Sequence, residues 1–233
     1  MPSTRRLIPL ALVTSIAAAT AGVALAHSGG APAATASPHH HDVSALADSR
    51  TAISPQELAL RREMDRLWEE HVAWTRLAII SLTTKAPDTK TTVARLLQNQ
   101  ADIGSAIKPF YGAAAGRQLT ALLREHILIA ADLIAAAQKG DTAAVGTQQA
   151  RWNANADRIA AFLSRANPRY WKPGPMKAMM REHLGLTTNE VLARLKGRWA
   201  ADVRAYDLIE QQILHMADML STGLVAQFPS RFA

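Results

Sequence analysis

From Leu60 to Leu224 the apolar residues recur at alternating spacings of three and four, and no run alternates at every second residue. A chain patterned this way buries one stripe on each of several helices and offers no half-buried strand, so the fold class expected is all-α. Punctuation divides the pattern. Ser54, Pro55 and Glu57 form a helix start, with a capping side chain, a proline at the first helical position and a glutamate that completes a capping box. The spacing predicts helices over about 55–84, 89–103, 113–138, 142–166, 176–184 and 188–226. Breaks are expected at Pro87, Gly104, Lys139-Gly140, Asn167-Pro168 and Gly185, and Thr187-Thr188-Asn189-Glu190 reads as a second capping box opening the last helix. Gly197 is expected to bend that helix. Four long helices and two short ones with short connections predict an antiparallel bundle over residues 54–229.

The amino-terminal quarter has a different character. Arg5-Arg6, the apolar run Leu7 to Ala24 and the small-x-small word Ala24-Leu25-Ala26 predict an export signal over residues 1–26, cleaved before His27. Thr4-Arg5-Arg6-Leu7-Ile8 also fits a twin-arginine signal loosely. Residues 27–53, rich in Ala, Ser, Gly, Pro and His, read as a disordered tether. The chain has no cysteine, so an exported product must hold its fold without disulfides. Removing the signal leaves 24 Lys+Arg against 19 Asp+Glu. That basic excess is spread along helices with no run interleaved with aromatics, which argues against nucleic-acid binding and for no more than loose attraction to an envelope surface.

The helical stripes are not purely apolar. His71 sits centrally among Leu60, Met64, Leu67, Trp74 and Ala78, and His126 among Leu119, Leu122, Ile129 and Leu133. Asn155 is central among Val145, Gln148, Trp152, Ile159 and Phe162. Glu210 lies about 40° from the centre of the stripe drawn through Leu195, Trp199, Tyr206, Ile213, Ala217, Leu220 and Leu224. A buried polar side chain needs a partner. Four at matching depth predict one polar site, and two neutral imidazoles with a carboxylate suit Zn, Cu or Fe with a position left open. The expected metal set is therefore His71, His126 and Glu210, with Asn155 nearby. The competing expectation is a structural or interaction module in which these groups bond only to one another. The i, i+3 Glu-x-x-His pairs of dinuclear carboxylate bundles are missing.

Secondary metal candidates are Met176, Met179, Met180 and His183, a soft-ligand stripe suited to Cu(I), and His39, His40 and His41 in the tether, suited to Cu(II). His215 falls on a polar face. No Gly-x-Ser-x-Gly, phosphate loop, dinucleotide turn, cysteine nucleophile or His-Glu-x-x-His word occurs, so nothing points positively to an enzyme.

Three of the histidines end one recurring word: Glu70-His71, Glu125-His126 and Glu182-His183, each with apolar residues two before the glutamate and after the histidine. The neighbouring glutamates are expected at the boundary, most simply as solvated charges. Together with Leu67 to Arg76, Asp102-Ile103-Gly104, Pro109-Phe110-Tyr111-Gly112, Trp152 with Asn155-Ala156-Asp157, Asn167-Pro168, Leu186-Thr187 and Gln227-Phe228-Pro229, these words resemble an uncharacterised family of bacterial helical proteins over about residues 60–230. The resemblance implies no established activity. It places His71, His126, Asn155, Asp157 and His183 in a shared pattern. A kinase label attached to similar proteins finds no support in a chain with neither strands nor a phosphate loop.

Overall fold

Ser54 accepts the Glu57 amide proton at 3.1 Å and Pro55 takes the first helical position, so helix α1, Pro55–Thr84, starts where its capping word stands. The structure is a computed structural model and describes residues 53–233; the expected signal and tether, with His39, His40 and His41, lie outside the described residues. Five more helices follow: α2 (Thr89–Ala106), α3 (Lys108–Lys139), α4 (Thr142–Ala166), α5 (Pro173–Leu195) and α6 (Trp199–Gln227). A 3₁₀ turn, Pro229–Arg231, ends the described chain. No strand occurs among the described residues, and no helix there is long and apolar enough to cross a membrane.

Each helix packs on the next in chain order and α6 returns to α1, so six helices close a ring around a main core, with a smaller cluster of Ala78, Leu96 and Ile127 beside it. The contact between α2 and α3 is at backbone distance. A Cβ on Gly104 would stand 2.6 Å from the Gly116 carbonyl oxygen, and one on Gly116 would stand 2.5 Å from that of Gly104. Gly104 is therefore inside α2 as a contact point, and the helix runs on to Ala106. In α3 the first turn is separated from the rest at Gly112, whose φ of 83° only glycine adopts readily. Asp141 caps α4 by accepting the Ala144 amide proton.

The expectation of four long and two short helices gives way to six helices of 18 to 32 residues. The largest shift is at α5, which runs through Gly185 and through Thr187-Thr188-Asn189-Glu190. Those residues are not a cap: the Thr187 and Thr188 hydroxyls donate back to the His183 and Leu184 carbonyls, one helical turn earlier. Glu190 is buried against Arg76 of α1 at 2.7 Å. The chain instead breaks at Lys196–Arg198, with Gly197 at φ 65°. Gly197 ends a helix rather than bending one.

Candidate functional site

The three Glu-His words fall on α1, α3 and α5, and each imidazole is buried. His71, His126 and His183 all line one central cavity of about 30 Å³, whose other walls are apolar or aromatic. The ring centres of His71 and His183 are 5.9 Å apart. His126 closes a third side and stacks, tilted, on Trp152 at 5.2 Å, while His71 meets Trp68 edge-on at 5.8 Å.

A second regularity accompanies the first. Each histidine nitrogen Nδ1 pairs with a side-chain amide that lies 29 residues later, on the next helix: Gln100 on α2, Asn155 on α4 and Gln212 on α6. Each helix pair also carries an amide N–H donated to the carbonyl four residues before its histidine. Asn99 donates to Leu67, Asn155 to Leu122 and Gln212 to Met179. Asn155 and Gln212 each do both jobs with one side chain, and the first pair divides them between Gln100 and Asn99. The described chain is thus three copies of one helix-pair device, with histidines 55 and 57 residues apart.

These bonds fix tautomers. An amide oxygen accepts from Nδ1–H of His126 at 2.8 Å and of His183 at 3.0 Å, leaving Nε2 of both rings with a free lone pair. His71 differs. Gln100 turns its NH₂ to the ring and shares two protons among three acceptors, His71 Nδ1, the Leu96 carbonyl and Asn99 Oδ1, so His71 Nδ1 accepts and the ring's proton sits on Nε2. Gln100 Oε1 is left buried without a partner. Two indole donors of the cavity lining, Trp68 Nε1–H and Trp171 Nε1–H, are likewise unpartnered. Burial lowers the pKa of all three rings, that of His126 to about 3, and mutual repulsion between their charged forms depresses His71 and His126 further. All three are neutral imidazoles at pH 7.

The expected metal set does not assemble as drawn. Glu210 is half-buried and lines no part of the cavity. The stripe drawn on the last helix included Trp199, which is 60% exposed, and half-buried Tyr206, which pulled its centre towards Glu210. The observed inner face passes through Ala205, Ile209, Ile213, Met216, Leu220 and Leu224, and Glu210 lies about 90° from its centre. Asn155 is fully buried but serves His126 from behind the ring. His183, grouped in sequence with the methionines, joins His71 and His126. Met176, Met179 and Met180 are buried in the core, and of the three only Met180 lines the cavity. His215 is exposed. Among the described residues no three histidine, aspartate or glutamate side chains stand close enough together to hold one ion.

The glutamates beside the histidines line no part of the cavity, although Glu125 also accepts from the Asn155 amide at 3.3 Å. Glu70 is held by Arg66 and Arg95, Glu125 by Arg158, and Glu182 is exposed. A separate charged cluster joins three helices at the ring closure: Arg76 bridges Glu190 and Asp202, and Arg194 binds Asp202 at 2.7 Å. Burial raises the Glu190 carboxyl to about 7 although Arg76 opposes the shift. Sequence reasoning missed Gln100, Gln212 and this cluster. The 29-residue step from each histidine to an amide was the signal available for the first two.

No family model matches the chain, and neither a curated protein nor a solved structure matches it.

Proposed function

We propose that this chain is an exported helical protein that holds one transition-metal ion, Cu, Zn or Fe, in its central cavity through His71, His183 and His126. One observation carries the reading. Three helix pairs each supply a neutral imidazole to the same cavity, each backed at Nδ1 by an amide of its own pair. Histidines that bind metals commonly engage the other ring nitrogen in this way, which orients the ring and fixes the free lone pair. An imidazole bound through Nε2 puts its ring centre about 3.2 Å from the ion, so two rings about 120–130° apart have centres about 5.5–5.8 Å apart. The His71–His183 separation of 5.9 Å is close to that. As they stand, no three of these side chains are close enough to hold one ion, so the reading requires that loading draw His126 onto this pair. Loading also moves the His71 proton to Nδ1 and turns the Gln100 amide, which gives Oε1 a donor at the cost of the donations to the Leu96 carbonyl and Asn99 Oδ1. Export rests on the sequence of residues 1–26 alone.

Elemental analysis of the full chain, purified without an affinity tag, tests the reading. About one transition-metal ion per chain is expected, lost in the His71→Ala plus His126→Ala variant. Metal that stays bound in that variant overturns it. A second reading is favoured by the apolar walls and small volume of the cavity: a structural or interaction module whose cavity holds one or two waters hydrogen-bonded to the rings and indoles. It predicts a metal-free protein whose stability does not respond to added ions.

A further inference from the structure

Away from the histidine cavity, we propose that an outer groove along α3, between α2 and α4, binds an organic phosphate monoester. The groove holds about 770 Å³, within the range of small-molecule sites. Lys108, Arg117, Arg124 and Arg151 line it, and none of these cations has an ion-pair partner among the described residues. Two carboxylates line it as well. Glu125 is already bound to Arg158 at 2.6 Å and accepts from Asn155, which leaves Asp132.

The order of these groups follows from how the helices meet. Gly104 of α2 abuts Gly116 and Thr120 of α3, so Ser105 and Lys108 lie beside Arg117 at one end. Arg158 of α4 meets Glu125 and Asn155 meets His126, so Arg151, one turn earlier, falls beside Ile129 and Asp132 at the other. The Lys108 end therefore combines two cations with the Ser105 and Thr120 hydroxyls, and the free carboxylate stands far from it. This end is also preorganised. A Cβ on Gly116 would come within 2.5 Å of Lys108 Cγ, so glycine there lets the lysine stem lie against the helix. Ser105 Oγ accepts from Lys108 Nζ at 3.0 Å and takes only one of its N–H donors. Arg124, two turns or about 10 Å along the same face from Arg117, is steered by the Leu97 carbonyl at 3.1 Å. Between the ends, exposed Ala121 and Leu128 form an apolar strip. Two adjacent cations match the double negative charge of a phosphate monoester, where a carboxylate or a sulfate ester brings a single charge. With its phosphate at Lys108 and Arg117, the ester lays its organic part on the strip and keeps its charge away from Asp132.

The test is calorimetric titration of the full chain at low salt with phenyl phosphate, with inorganic phosphate, and with vesicles of phosphatidylcholine alone or mixed with phosphatidic acid. About one phenyl phosphate per chain is expected, bound about tenfold tighter than inorganic phosphate. Lys108→Gln plus Arg117→Gln is expected to weaken phenyl phosphate at least about tenfold. Lys196→Gln plus Arg204→Gln removes the same charge from exposed positions elsewhere and should change binding less than about twofold. Leu128→Ser is expected to weaken phenyl phosphate about threefold or more and leave inorganic phosphate unaltered. Melting temperatures of the variants control for folding, and the Leu128 contrast stands even where the double variant fails to fold. Binding of the phosphatidic acid vesicles in place of the soluble ester, lost in the Lys108 and Arg117 variant, would support the site and identify a lipid headgroup as its ligand. Equal weakening by both double variants would reduce the effect to net charge and overturn the proposal. Failure of both the soluble ester and the phosphatidic acid vesicles to bind would overturn it too. None of these substitutions touches the histidine cavity, so either result leaves the metal reading where it stood.

Discussion

At the scale of single residues the account turns on three imidazoles that are buried, neutral and each held from behind. Removing an amide partner exposes what the pairing contributes. Asn155→Leu leaves His126 Nδ1–H and the Leu122 carbonyl without their shared partner inside the core, and unsatisfied buried groups of this kind cost about 1–3 kcal/mol each. Replacing both members, Asn155→Leu with His126→Leu, removes the unpaired ring N–H and should recover part of the loss. Chemical denaturation of the two single variants and the double variant measures the coupling, expected at about 1–2 kcal/mol. Additive losses would mean that the pair does not interact. His71, His126 and Asn155 were legible in sequence because each interrupts an apolar stripe at its middle. Gln100 and Gln212 were not, since each lies among other amides or polar groups (Gln98 and Asn99, Glu210 and Gln211) and nothing local marks which one turns inward. His183 was visible as a repeat of the Glu-His word but was hidden among methionines that fill the core.

At the scale of helices the sequence announces starts better than stops. Ser54 and Asp141 cap the helices they precede because both side chains have a free amide two or three residues on. Thr187-Thr188-Asn189-Glu190 has the same letters, but its threonines satisfy carbonyls behind them and its glutamate reaches another helix. A local word cannot reveal a partner 114 residues away. Glycine misleads for a similar reason. Gly104 looks like a helix end and is a crossing point, where α2 and α3 touch through their backbones. Gly104→Val is expected to force those helices apart and destabilise the protein by about 1–3 kcal/mol or more. Gly146, on α4 with open space around its Cβ position, is the matched control, and Gly146→Ala should stabilise slightly. Thermal melts of both variants check the contrast. Equal effects would show that the close approach is unimportant.

At the scale of the whole molecule, three buried neutral histidines tie stability to pH. A ring whose ordinary value is 6.5 and whose folded value is about 3, as for His126, takes up its proton in the unfolded chain first. The stability it supports is fully present above pH 6.5 and is lost as pH falls towards 3. His71 and His183 shift the same way. Glu190 acts oppositely: raised from 4.5 to about 7, it favours folding below 4.5 and withdraws that support as pH rises through 7. Three rings outnumber one carboxyl, so the melting temperature should fall steadily from pH 6.5 to pH 4, and His126→Gln should flatten that slope. An unchanged melting temperature across this range would contradict burial of the rings in their neutral form.

The all-helical architecture was legible because periodicity is a property of each segment by itself. The threefold arrangement around one cavity was less so, since it depends on which segments become neighbours. The central claim is that the three histidines share one ion. Anomalous diffraction at the metal absorption edge, from crystals of metal-loaded full-length protein, tests it most directly. The account predicts a single strong peak within about 2.0–2.1 Å of Nε2 on His71, His126 and His183, with Gln100 Oε1 turned to the His71 ring. A cavity holding only water, with the anomalous signal elsewhere or absent, would contradict it.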